Sequence, residues 1–124
     1  MPLTITHEDH GRRPVLKVDG DLDLATAPEL VAMGLALVQA GAPDVIVDAE
    51  RLGFCDSSGL NAFVQIANQL EPAAGRLAIA NPNGMVRRVL EMSGLIDAFV
   101  VTDSVSAALA ALENAPPNAS AQPA

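Results

Sequence analysis

Three β-branched or aliphatic residues in a row, Val45-Ile46-Val47, stand between Asp44 and Asp48 and restrict the fold more than any other feature of the chain. A run without polar alternation needs apolar cover on both faces, as in the inner strand of a parallel sheet. The flanking segments supply that cover. Ahead of the run, Leu30, Met33, Gly34, Leu37 and Val38 recur at helical spacing and stop near Gly41, with Thr26-Ala27-Pro28-Glu29 reading as a capping box. Behind it, Leu60, Phe63, Val64 and Ala67 form an apolar stripe opposite Asn61, Gln65 and Asn68, in a helix beginning at Asp56-Ser57-Ser58. The run is therefore expected at the centre of a sheet.

The remaining segments extend this pattern. Leu3 and Ile5 alternate with Thr4 and Thr6, and Leu16 and Val18 flank Lys17, which predicts an opening hairpin with a polar turn around Gly11. Leu77 and Ile79 mark another strand. Met85, Val86, Val89, Leu90 and Met92 read as the apolar side of a third helix, with Arg87, Arg88 and Glu91 outward. Gly94 ends it and sets Leu95 against Leu90 in a Schellman stop. Phe99-Val100-Val101 is a last short strand, followed by a helix on Val105, Ala108, Leu109 and Leu112 capped by Asp103 or Ser104. Helices between strands imply crossovers, so the expected fold is a single α/β domain over residues 1–113. Its sheet is mixed, mostly parallel, with about four to five strands and about four helices. Residues 114–124, with Pro116-Pro117-Asn118-Ala119-Ser120, lack periodicity and are expected to be a disordered tail.

A chain of 124 residues has room for one core. Seven Lys and Arg against fifteen Asp and Glu give a net charge of -8, and three Phe stand with no Trp or Tyr. Phosphate neutralisation and base stacking both lack their residues, which argues against a nucleic-acid partner. Cys55 is the only cysteine, which forbids an internal disulfide and suits a reducing compartment. His7 and His10 share an H-x-x-H spacing, but they are expected in the hairpin turn with no third ligand, so no metal is predicted. No G-x-G-x-x-G or Walker pattern occurs, and Ser57 lacks both the G-x-S-x-G elbow and a late histidine. Neither a cofactor nor a catalytic residue is expected. The opening residues have no basic segment followed by a long apolar one, and the longest apolar run, residues 30–38, is too short to span a bilayer. A soluble cytoplasmic protein without membrane insertion is the expectation.

What remains chemically is Gly53-Phe54-Cys55-Asp56-Ser57-Ser58-Gly59-Leu60, which delivers two hydroxyls and a carboxylate to a helix start. Residue type alone is satisfied by ordinary capping. A helix N-terminus also suits a regulatory phosphoserine. Only one hydroxyl is expected to point outward, from Ser57, while Ser58 is better placed for capping or for the core. Leu60 is expected to anchor the helix. Gly20-Asp21-Leu22-Asp23 is either a turn or part of an acidic recognition surface.

Taken in order, Gly20-Asp21-Leu22-Asp23, Phe54-Cys55-Asp56-Ser57-Ser58-Gly59-Leu60 and Met92-Ser93-Gly94-Leu95 resemble the successive signatures of bacterial anti-sigma factor antagonists, the STAS domain family, over roughly residues 3 to 113. The resemblance implies a STAS-like fold and a binding protein that is not an enzyme. It implies an anti-sigma factor partner, often itself an ATP-dependent serine kinase, and a serine phosphatase acting on phosphorylated Ser57. In such proteins the unphosphorylated form binds the anti-sigma factor and frees the sigma factor, and phosphorylation switches binding off. The resemblance assigns the phosphoacceptor to Ser57 and the partner surface to Asp21, Asp23, Asp56, Ser57, Ser58, Gly59, Asn61 and Gln65. Asn61 departs from the small residue many relatives carry. Other STAS domains work in stress-signalling assemblies, regulate transporters, or bind nucleotides or lipids.

Overall fold

A computed structural model describes residues 2–114. Among them run strands β1 (Thr4–His10) and β2 (Arg13–Leu22), helix α1 (Ala27–Gln39), strand β3 (Val45–Cys55), helix α2 (Ser57–Leu70), a 3-10 turn at Glu71–Ala73, strand β4 (Leu77–Ala80), helix α3 (Gly84–Met92), strand β5 (Val100–Thr102) and helix α4 (Val105–Asn114). The sheet keeps chain order, β1-β2-β3-β4-β5. β1 pairs antiparallel with β2, and every later pairing is parallel. The tail expected from residue 114 lies, after the last turn of α4, outside the described residues.

Two cores explain why β3 must be apolar on both sides. On one face Val45, Val47, Ala49, Leu52 and Cys55 pack with Leu30 of α1, Phe63 and Ile66 of α2, and Val86 and Leu90 of α3. On the other, Ile46 joins Val15, Ala78 and Ala80 beneath Ala108 and Leu112 of α4. Phe63 meets Phe99 edge to face, with centroids 6.1 Å apart at 78°.

The far half of β3 departs from simple alternation. Lys17 pairs with Asp48 but Asp19 with Arg51, and Gly20 pairs with Leu52 but Asp21 with Phe54. β3 thus carries one extra residue at each of two bulges. The extra residues turn Leu52 and Cys55 to the helix side, where both are buried, and leave Phe54 half exposed. They also fix where the strand hands over to α2.

Several local expectations are corrected. His7 and His10 lie in β1 and not in the turn, and each bonds a neighbour two residues away: His7 to Asp9 at 2.7 Å and His10 to Glu8 at 3.4 Å. Three residues apart on a strand, they face opposite ways. Thr26 occupies the N-cap of α1 without a side-chain cap bond, so no capping box forms. Its hydroxyl accepts from the Asp23 amide at 2.9 Å and donates to the Asp21 carbonyl at 2.8 Å, closing the preceding loop instead. Met85 and Met92 stand exposed on α3, because the short helix buries only the stripe through Val86 and Leu90. Phe99 precedes β5 and does not belong to it.

Other stops hold. Gly94, at φ +79°, gives its amide to Glu91, and the Leu95 amide reaches the Leu90 carbonyl at 3.1 Å, the two bonds of a Schellman motif. Of the two candidate caps for α4, Ser104 does the work, its hydroxyl accepting from the Ala107 amide at 2.9 Å.

The end of the sheet where β3 and β4 begin is tied by Asp44, a buried carboxylate. It accepts from Arg13 Nε at 3.1 Å and from the Arg76 amide at 2.8 Å, while both guanidinium groups donate to the Leu112 carbonyl at the end of α4. Asp44→Ala removes the acceptor for two part-buried donors. It is expected to cost about 1–3 kcal/mol, with Asp44→Asn costing less because it keeps an oxygen for the Arg76 amide. Urea denaturation midpoints at fixed m-value check the order.

Candidate functional site

At the opposite end of the sheet, β2 and β3 finish side by side, with Leu22 paired to Cys55. β3 passes into α2 through Asp56 alone and β2 into α1 through a four-residue loop, residues 23–26, so Gly20-Asp21-Leu22-Asp23 and Asp56-Ser57-Ser58, far apart in sequence, meet along one edge. The Asp56 amide donates to the Leu22 carbonyl at 3.3 Å and pins the two turns together. Gly59 makes this approach sterically available. A Cβ there would stand 2.8 Å from both Cys55 Sγ and Leu22 Cγ.

The cap of α2 belongs to Asp56 and not to Ser58. Asp56 has extended backbone angles, φ -107° and ψ -166°, and its Oδ1 accepts from the Ser58 amide at 2.9 Å and the Gly59 amide at 3.2 Å. Ser57 and Ser58 already lie inside the helix, where a hydroxyl is past the capping position. The capping role expected for Ser58 is thus overturned by backbone geometry. Ser57 is exposed and Ser58 half buried. Leu60 is buried, and Asn61 and Gln65 are exposed on the outer face of the helix.

The acidic stretch is an ordered loop. Asp23 Oδ1 accepts from the amides of Ala25 and Thr26 at 3.0 and 3.2 Å, so this carboxylate shapes the entry to α1. Asp21 is half buried with its carboxylate lying over Gly53, where a Cβ would come within 3.5 Å of Oδ1. Sequence patterns passed over Leu24. It stands 79% exposed on the loop, and with Val31 and Leu35 of α1 and Ser58, Asn61 and Gln65 of α2 it lines an open groove of about 520 Å³. The available signal was an apolar residue beside two carboxylates that fits no helical stripe.

Cys55 lies beneath the turn, nearly fully buried, with Sγ 3.7 Å from the Asp56 carbonyl. Burial first, and the neighbouring Asp56 charge second, push its thiol up to about 11. At neutral pH it is a packing group and no nucleophile. Among the described residues, no three His, Cys, Asp or Glu side chains gather as metal ligands, and no helix is long and apolar enough to cross a membrane.

Comparison with known proteins agrees with the geometry. The family model described as Mlab, STAS domain, matches residues 5–102. The chain is 35% identical over 100 residues to BtrV of Bordetella bronchiseptica, assigned as an anti-sigma factor antagonist, covering 81% of this chain and 86% of that one. It is 33% identical over 103 residues to the anti-sigma-B factor antagonist of Staphylococcus aureus, covering 83% and 95%. The anti-sigma factor antagonist SpoIIAA in its unphosphorylated form matches with a TM-score of 0.79 at 28% identity, over 90% of this chain and 97% of that one. The phosphorylated form of the Bacillus protein SpoIIAA matches with a TM-score of 0.70, over 87% and 98%.

Two outcomes follow from the site's own chemistry. Asp56→Ala, which removes the cap, is expected to lower stability by about 0.5–2 kcal/mol, while Ser58→Ala changes the denaturation midpoint by less. Because the Cys55 thiol is harder to ionise in the folded chain than in the unfolded one, its contribution is complete below the unfolded value near 9 and is lost as pH rises toward about 11. Melting temperatures of wild type and Cys55→Ala measured across that window should converge as pH increases.

Proposed function

The chain belongs to the family of STAS-domain anti-sigma factor antagonists, regulators that are not enzymes, and from that premise we propose that Ser57 is the phosphoacceptor of a partner switch. In the unphosphorylated state the protein binds an anti-sigma factor in the cytoplasm and frees the sigma factor it held. The anti-sigma factor, as an ATP-dependent serine kinase, transfers a phosphoryl group from ATP to Ser57 Oγ. ADP leaves, and the hydroxyl proton passes to a base on the kinase. Binding then ends, and a serine phosphatase restores the free hydroxyl.

The observation that carries this reading is the exposed Ser57 at the first position of a helix whose backbone is fixed from both sides. A kinase needs the hydroxyl in reach, and the switch needs a site that accepts about -1.5 to -2 charges without entering the core. Asp21, Asp23, Asp56, Ser58, Asn61 and Gln65 are assigned on this reading to the polar part of the partner surface. Gly59 contributes by letting the helix start sit tightly on the strands. Leu24 and the groove beside Asn61 and Gln65 add an apolar part that the fold itself does not need covered.

Affinity capture from the native cell, with the bound protein identified by mass spectrometry and then purified, supplies the partner for the decisive measurements. Phosphopeptide mapping after exposure to that partner and ATP should find the phosphate on Ser57. Calorimetry should show Ser57→Ala binding as wild type does and the phosphoprotein binding far more weakly with its melting temperature retained. Ser57→Asp, with one charge on a shorter side chain, falls between. Leu24→Asp should weaken binding without lowering stability. A phosphate on Ser58 alone, or a phosphoprotein that binds equally well, overturns the reading.

A further inference from the structure

A phosphate on Ser57 would arise next to a helix N-terminus at which the amides of the next two residues, Ser58 and Gly59, are already taken. Asp56 Oδ1 holds the Ser58 and Gly59 amides, and the Asp56 carbonyl holds the Leu60 amide at 3.0 Å. The holder is itself fixed. Its amide is bonded to Leu22, and Gly59 is wedged against Cys55 and Leu22, so the amides cannot swing toward a new acceptor. An incoming dianion would have to evict a preorganised carboxylate of the same sign. It would exchange one charge-assisted cap for another while desolvating more charge.

We infer that Asp56 is a positioning residue that keeps a phosphoryl group on Ser57 turned out into solvent by occupying the amides the group would otherwise take. The inference rests on the reading of Ser57 as phosphoacceptor and concerns how that site is regulated. An outward phosphate meets an approaching partner directly and stays open to hydrolysis, in which water attacks phosphorus and the Oγ–P bond breaks to give serine and inorganic phosphate. A phosphate folded back onto the helix would do neither well. Asp56 therefore serves both the release of the partner and the reversibility of the switch.

The test installs phosphoserine genetically at position 57, so no kinase is needed and the result does not depend on the partner. In wild type the second phosphate pKa, followed by phosphorus NMR, should lie at or above its ordinary value near 6, and the Ser58 and Gly59 amide shifts should not follow the phosphate titration. In D56A the amides lose their acceptor and the phosphate turns back onto them. Its pKa should drop below 6, both amides should shift with its titration, and a broad-specificity protein phosphatase should remove it at least about tenfold more slowly, the lower bound for one charge-assisted hydrogen bond. D56N keeps an oxygen on the amides and should hydrolyse as wild type does. If D56A does not fold, Asp56→Gly replaces it, since glycine is tolerated at an N-cap far better than alanine. Wild-type amides that titrate with the phosphate, or a D56A phosphate that titrates and hydrolyses like wild type, overturn the inference. Failure of Ser57 as phosphoacceptor would appear separately, in the phosphopeptide map.

Discussion

Burial of β3 on both faces is the constraint from which the rest of the structure follows. A strand with Val45 and Val47 on one side and Ile46 on the other cannot lie at the edge of a sheet or against solvent. It demands helices above and below, and parallel neighbours connected through those helices. α1, α2 and α3 meet the demand on one face. α4 meets it on the other, over the small side chains Ala78 and Ala80, which let the helix come close. Because β2 and β3 run parallel, their ends coincide, and the loops that leave them share one edge of the domain. Ligand and partner sites in open α/β sheets gather at that edge for this reason.

The two ends of β3 do different work with similar chemistry. At its beginning, Asp44 is buried and spends its charge on Arg13 and the Arg76 amide, locking the hairpin to the start of β4. At its end, Asp56 spends its charge on two backbone amides of α2 and remains part of the surface. The first carboxylate stabilises the fold. The second stabilises a turn while leaving the adjacent hydroxyl in water.

Legibility in the sequence tracked the range of the interaction responsible. The β3 run, the α2 stripe and the Gly94 stop depend on neighbours within a few residues, and each was readable. The greater exposure of Ser57 relative to Ser58 is legible for the same reason. The bulges were not, since they arise from register against β2, some thirty residues away in the chain, and period-two alternation has no symbol for an inserted residue. Thr26 satisfied the capping-box pattern, yet Asp23 and Asp21 recruited its hydroxyl into the loop. Asp56, Ser57 and Ser58 are all good caps by type, and only the backbone angles distinguish the residue before the helix from those inside it. The exposure of Leu24 is a property of the assembled surface, which no local pattern encodes.

Magnitudes explain why, on the proposed reading, a single phosphate changes binding and leaves the fold alone. Two unit charges about 4 Å apart cost about 1 kcal/mol in water and about 4 kcal/mol at the effective dielectric of a protein surface site. In the free protein Ser57 is exposed, so repulsion between its phosphate and Asp56 stays near the lower figure, a small part of a stability of about 5–15 kcal/mol. When a partner closes over the edge, water leaves and the same repulsion moves toward the higher figure for each added charge. The phosphate must also give up its own hydration without the Ser58 and Gly59 amides to receive it, because Asp56 already holds them. Affinity changes tenfold for every ~1.4 kcal/mol, so a few kcal/mol placed at the centre of an interface separates a bound state from a free one.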